Sequence, residues 1–480
     1  MQQRLTWLVM SNQIYNSIIR RWKRPYGYKQ ILLVAFPLIL STGSWSIQQF
    51  VDRMFLSWYS TDALAAALPA GILSFTLISV FLGTAGYVNT FVAQYQGANR
   101  EDRIGSVMWQ GLYVSLIGGF VVFLTFFARQ NIFDIIGHEA AVREFEIEYW
   151  KYLSVGGFFP IGIAAVSSFF SGRGKTYPLM WISFAATLVN IVLNYLLIFG
   201  KFGFPEMGIA GAGLSTIVSQ GFNFLILLSM AFDSNNNSRF GTVSGWRFDL
   251  LLFKRLIKFG LPNGIQIFLD VAAFSIFLLI IGRLGPTELA ASNIAINISL
   301  LAFMPMTGIG IAISMLVGRA LGSNKPDLAD RATISTLQIA FVYMGSFSML
   351  YLIFPDMFIY PFAANSEASR FEEIRVLAVM TMKFVAAWAL LDCLGITISS
   401  ALKGAGDTFF IMVSNTVISF IVLIVPTYLA LEIFGLGLAA AWSASVTYVI
   451  ILTITFVLRY KTGKWRSMRV IEETSNFSTV

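Results

Sequence analysis

Gly97-Ala98-Asn99-Arg100, with Asp102 close behind, returns 225 residues later as Gly322-Ser323-Asn324-Lys325 with Asp327. The same offset carries Leu64-Ala65-Ala66 onto Leu289-Ala290-Ala291, and Pro37 onto Pro262. Further along, Gly172, Gly174, Thr176 and Met180 return as Gly404, Gly406, Thr408 and Met412, now at an offset of 232. A drift of seven residues over this length amounts to one modest insertion. The chain therefore repeats itself at half length.

The material between these markers is apolar. Of 480 residues, 56% are hydrophobic and 12% are charged, about half the charged share of a soluble chain. The apolar residues gather in blocks of the ~20 residues a helix needs to cross a bilayer core. Twelve blocks are read, near 31–59, 64–93, 105–128, 152–172, 177–200, 208–232, 256–282, 288–318, 333–355, 376–402, 408–431 and 436–458. Alternating ten-residue strands of the barrel kind are not seen. The predicted fold is an all-α membrane protein. Its twelve transmembrane helices form two six-helix bundles. Six is even, so both bundles enter the membrane the same way, and the pseudo-twofold between them runs along the membrane normal. The predicted units are a basic N-terminal segment 1–30, a first bundle 31–232, a polar linker 233–250, a second bundle 251–459 and a tail 460–480.

Of the 33 Lys and Arg residues, 24 fall on the side that holds both termini, and about seven fall opposite. The positive-inside rule places both termini in the cytoplasm and the chain in a cell inner membrane. The net charge of +8 is then a topology signal, and nucleic-acid binding is not read from it. Acidic residues gather on the other face. Asp134, Glu139, Glu144, Glu146 and Glu148 are read as one loop, and Glu367, Glu372 and Glu373 as another. Residues 1–30 show no cleavable signal pattern and read as a cytoplasmic leader. One cysteine, Cys393, and one histidine, His138, exclude a disulfide framework and a Cys/His metal site within the chain.

Three aspartates sit inside the blocks, where an ionised carboxylate costs several kcal/mol. They are Asp52, Asp270 and Asp392. Through the repeat they map to Phe277, Trp45 and Pro160, so they break the internal symmetry. Desolvation favours the neutral acid, which lets such a group exchange a proton near neutral pH. Two carboxylates together can instead hold Na⁺. Either event changes the charge of a cavity and can bias the protein between two openings. A cationic amphiphile competing for the same charge gives antiport. The plain alternative for each Asp is a packing role or a reach to the interface. Lys383 is expected to snorkel outward. Asn190 and Asn194 share a helix face at i, i+4, and Gln48 and Gln49 lie one turn before Asp52. These amides form either a polar pocket in the first bundle or interhelical hydrogen-bond glue.

Gln49-Phe50-Val51-Asp52 leading to Ala63-Leu64-Ala65-Ala66 resembles the first-helix signature of the multidrug and toxic compound extrusion (MATE) family. Gly260-Leu261-Pro262-Asn263-Gly264 before Asp270 is similar in kind. So is Asp392 followed by Lys403-Gly404-Ala405-Gly406-Asp407-Thr408. The segment Asn190-Ile191-Val192-Leu193-Asn194-Tyr195, with Phe199-Gly200 and Pro205-Glu206-Met207-Gly208 after it, resembles the NorM-like branch. The resemblance spans about 30–460. It implies a V-shaped pair of bundles and an antiporter that exports small cationic, often aromatic, compounds against Na⁺ or H⁺. It implies no enzyme activity, no cofactor beyond that coupling ion, and a monomer in the lipid bilayer. By position it makes Asp392 and Asp270 the cation-coupling carboxylates of the second bundle, and Na⁺ ligands if coupling is to sodium. It makes Asp52, with Asn190, Asn194 and Gln49, the polar site of the first. The chain departs from the family in three places. Asp270 stands for a usual Glu, Trp388, one turn before Asp392, stands for a Tyr, and Gly395 stands for a frequent Gln. The alternative is a flippase for lipid-linked oligosaccharide or another lipid, which would be expected to line its cavity with Arg and Lys.

Overall fold

A computed structural model of the chain describes residues 21–363 and 368–472. Most of the basic leader and the end of the tail lie outside these residues. Among those described, twelve helices are long and apolar enough to cross a membrane. They are α1 (Tyr28–Tyr59), α2 (Thr61–Gly97), α3 (Arg103–Leu124), α4 (Ala140–Ser171), α5 (Tyr177–Phe199) and α6 (Ile209–Ala231). The second set is α7 (Leu250–Gly282), α8 (Pro286–Gly322), α9 (Pro326–Ile353), α10 (Phe371–Ala405), α11 (Thr408–Ile433) and α12 (Leu438–Lys461).

Several helices run past the apolar blocks, because hydropathy marks the hydrocarbon-length core and not the helix end. α4 is the clearest correction. Glu144, Glu146 and Glu148 belong to its first turns rather than to a loop. Glu146 is fully buried there, with its Oε1 2.8 Å from His138 Nδ1. α11 is irregular for a local reason. Pro426 lacks an N–H, and π-helical turns cover Ser419–Ile424 and Leu429–Ile433 on either side of it.

Helix pairings repeat between the halves. α1 packs on α5 as α7 packs on α11, α3 on α4 as α9 on α10, and α4 on α6 as α10 on α12. The halves meet through α2 against α7 and through α8 against α1 and α2. This is the two-bundle architecture that the repeat predicts.

The bundles close on one another at the end that carries the described ends of the chain. The repeated Gly-x-Asn motif is the hinge point of that closure. A Cβ on Gly97 would overlap the Arg319 carbonyl, and one on Gly322 would overlap the Gln94 carbonyl. Asn99 and Asn324 both turn the chain in the left-handed region, at φ +56° and +55°. Thr90 and Ser314 hydroxyls meet at 3.1 Å, Gln94 Nε2 donates to Gly404 O at 3.0 Å, and the Tyr87 hydroxyl donates to Lys403 O at 2.6 Å. The tail crosses this seam. Val470 N–H donates to Gln94 Oε1 at 2.8 Å, and Tyr95 donates to Glu472 at 2.8 Å. Arg100 from the first half pairs with Glu472, and Arg255 from the second lies 3.7 Å from it. Hydrogen bonds between the halves extend no further from this end than Thr42 Oγ1 to Met304 O. The other end of the seam is without them among the described residues.

Candidate functional site

Each half holds one carboxylate oriented by an amide from a neighbouring helix. In the first half Asp52, on the buried face of α1, accepts from Asn194 Nδ2 on α5. Asn194 Nδ2 also donates to Asn190 Oδ1 at 3.0 Å, as the i, i+4 spacing predicts. All three side chains are buried. Asn194 Oδ1 and Asn190 Nδ2 have no partner among the described residues, so the cluster keeps one acceptor and one donor unused there. Gln48, four residues before Asp52, is buried on the same face. Gln49 is half-buried, and its side chain makes no hydrogen bond among the described residues. Arg53 and Lys383 are exposed.

In the second half Asp270 on α7 accepts from Asn415 Nδ2 on α11. Tyr448 on α12 donates to Asn415 Oδ1 at 2.8 Å, and Gln266 Nε2 lies 3.5 Å from Asp270 Oδ2. Gln266 Oε1 is buried and has no partner among the described residues. Asp392 on α10 stands within electrostatic reach of Asp270, and both act on Tyr448. Lys403, near the end of α10, acts on Asp270 in turn. Trp388, one turn before Asp392, stacks on Phe274, one turn after Asp270, with centroids 5.6 Å apart. Trp442 closes this aromatic group, 6.4 Å from Trp388 and 6.0 Å from Phe277.

Gln266, Asn415, Tyr448 and Lys403 were not picked out as site residues from the sequence. Asn415 carried a legible signal, as the only asparagine in the block 408–431. Gln266 lies at i−4 from Asp270 and could have been found by helical spacing. Tyr448 could not, since its role depends on how α12 packs.

The two centres use equivalent helices at different depths. Asp270 maps to Trp45, two turns before Asp52 on α1, a displacement of about 10 Å along the helix. Gln266 and Asn415 map to Ser41 and Ser183, whose hydroxyls meet at 2.7 Å. The first half thus bridges with two serines where the second half holds its charged centre.

Asp52, Asp270 and Asp392 form no ion pair among the described residues. No cluster of three or more His, Cys, Asp or Glu residues suited to a metal occurs there either. An ion in the second centre would meet carboxylate, amide and hydroxyl oxygens, including the orphaned Gln266 Oε1. That hard donor set fits Na⁺ taken up as cargo and offers no soft ligand for a transition metal.

Twelve spans, a half-length repeat, and intramembrane carboxylates without an ion pair among the described residues match a secondary-transporter architecture. The MatE family model matches residues 37–196 and 262–429, one stretch in each half. The chain belongs to the MatE family of membrane transporters. It is similar to the probable multidrug resistance protein NorM of Bradyrhizobium diazoefficiens, at 27% identity over 90% of this chain and 93% of that protein. It is similar to the probable multidrug resistance protein NorM of Thermotoga maritima, at 23% identity over 96% and 98%. Among solved structures, an outward-facing multidrug resistance MATE family transporter superposes with a TM-score of 0.84, at 19% identity over 93% of this chain and 98% of that one. A eukaryotic MATE transporter superposes at 0.81, with 20% identity over 91% and 96%. At these identities the structural likeness shows the fold.

Proposed function

We propose that this chain exports small cationic, often aromatic compounds in exchange for Na⁺ or H⁺. The observation that carries the reading is a buried carboxylate in one half and a partly buried one in the other, each oriented by a neutral amide. A positive side chain bonded to Asp52 or Asp270 would neutralise it permanently. Asn194 and Asn415 orient the acids and leave the charge available. The orphaned Asn194 Oδ1 offers an acceptor to a proton arriving on Asp52, and Gln266 Oε1 offers an oxygen to Na⁺ beside Asp270. Phe274 and Trp388, partly exposed beside the second centre, suit a flat cation, which aromatic faces attract by about 0.5–2 kcal/mol each. The names of the NorM relatives support multidrug efflux as the physiological class.

Asp52, Asp270 and Asp392 carry the coupling in this reading, and Asn190, Asn194, Gln49 and Trp388 line the polar surfaces. The moving bodies are 31–232 and 251–459, joined by 233–250. Both termini face the cytoplasm across an inner membrane, and one chain is the working unit. In this setting the closed end of the seam is the cytoplasmic one, and access is from the opposite side. Ethidium uptake into inverted vesicles tests the proposal. An imposed Na⁺ gradient or ΔpH drives uptake in the wild type, and Asp392→Asn, folded and membrane-inserted, abolishes it. Normal gradient-driven uptake by that variant removes Asp392 from the mechanism.

A further inference from the structure

The stretch 241–251 leads from the polar linker into α7, and its side chains do not suit a water-exposed link. Val243, Trp246, Phe248, Leu250 and Leu251 are all exposed, Leu251 to 77%. The backbone beneath them is fastened. Trp109 Nε1 donates to Thr242 O at 2.7 Å, Tyr113 donates to Trp246 O, and Asn237 Oδ1 accepts from Val243 N–H at 2.9 Å. The apolar side chains are therefore held outward, at about 25 cal/mol for each Å² left in water.

Among them an open groove of about 480 Å³ runs between the linker and the start of α3. Arg103, Ser106, Ser244, Arg247 and Asp249 supply its polar lining. Phe248, Leu250 and Leu251 supply the apolar part. Arg103 bonds Asp249 at 2.9 Å, and its Nε is buried without a hydrogen-bond partner. Burial pushes the Asp249 carboxyl up, but the Leu252 N–H and Arg103 outweigh this and hold it below the usual carboxylate range. Arg247, between Trp246 and Phe248, has no ion pair among the described residues. Arg103 Nε also lies 3.7 Å from Glu472, so Arg103 faces two carboxylates and Arg247 is the unpaired positive charge of the lining among the described residues.

We propose that this groove binds the phosphate of an anionic phospholipid from the leaflet at the terminus-bearing end. Arg247 takes the phosphate, and Trp246, Phe248, Leu250 and Leu251 lie against the glycerol and acyl chains. Guanidinium matches phosphate geometry, and indoles favour the headgroup level. Leu250 and Leu251 begin α7, so the groove opens beside a membrane span. A free phosphate would leave the exposed apolar side chains uncovered, which favours the lipid.

Native mass spectrometry of the full-length protein tests this, with dioleoylphosphatidylglycerol and dioleoylphosphatidylcholine titrated in parallel. The wild type should retain one phosphatidylglycerol in preference to phosphatidylcholine. Arg247→Ala should weaken that retention about fivefold, the change expected when one basic side chain is lost at an anionic surface. Arg247→Lys should keep most of it, and an unchanged circular dichroism spectrum shows the variants folded. Equal retention of the two lipids, or no loss in Arg247→Ala, overturns the proposal. So does complete displacement of phosphatidylglycerol by millimolar inorganic phosphate, which would make the site one for free anions.

Discussion

Asn415 on α11 donates its side-chain amide to Asp270 on α7, while its own carbonyl accepts from Tyr448 on α12 at 2.8 Å. Three helices thus orient one carboxylate. Tyr448→Phe removes a neutral interhelical bond worth about 0.6–2 kcal/mol. We expect it to slow ethidium transport several-fold in proteoliposomes without abolishing it. Asp270→Asn should reduce coupled transport to a low residual rate that is still measurable. The double variant should be no slower than Asp270→Asn alone, because Tyr448 acts through the acid. A further loss in the double variant would assign Tyr448 a separate role.

The first centre rests on fewer bonds. Asn194→Ala leaves Asp52 buried without its donor, and losing a hydrogen bond to a charged group costs about 1.5–3 kcal/mol. We expect lowered thermal stability together with lost coupling. Asn194→Ala combined with Asp52→Asn should recover stability and not transport. Thermal unfolding in detergent and ethidium efflux, measured on the same preparations, separate the two effects.

Much of this arrangement was legible in the residues. Apolar blocks and the repeat at Gly97 and Gly322 predict twelve spans in two bundles, because hydrocarbon length and helix rise leave few other solutions. Asp52 with Asn190 and Asn194 was legible through burial cost and i, i+4 spacing. Asp270 was legible, but its partners Asn415 and Tyr448 were not, since they come from helices 145 and 178 residues away. Only packing brings those together. Glu146 was misread as part of a loop, because a run of charges looks solvated until its burial on α4 and its contact with His138 are seen.

Glu472 fastens the closed end, bonded by Tyr95 from the first half and within reach of Arg255 from the second. Burial pushes its carboxyl up, but its own backbone N–H, Tyr95 and Arg100 hold it below the usual range. A lowered pKa means the clasp is present at neutral pH and is lost as pH falls through that depressed value. Spin labels at Ala98→Cys and Lys325→Cys report the gap, and Cys393, the single native cysteine, is buried. We expect acidification to widen the gap in the wild type. Glu472→Gln should be wide already at neutral pH and should not respond to acid.

Gly322 meets the Gln94 backbone so closely that any Cβ collides. Gly322→Val should hold the seam apart at a cost of about 1–3 kcal/mol, the usual penalty of overpacking. The same label pair should show a wider gap, and transport should fall even though no polar centre is touched. By the repeat, Gly97→Val should behave alike.

The central claim is that cargo and coupling ion take turns at the same intramembrane acids. Equilibrium binding of ethidium to the purified protein, followed by fluorescence anisotropy at increasing Na⁺ or H⁺, tests it most directly. We expect the apparent Kd for ethidium to rise in proportion to one of the two ions in the wild type, and to be insensitive to that ion in Asp270→Asn and Asp392→Asn. Ethidium affinity unchanged by both ions in the wild type, or equally ion-sensitive in both variants, would contradict it.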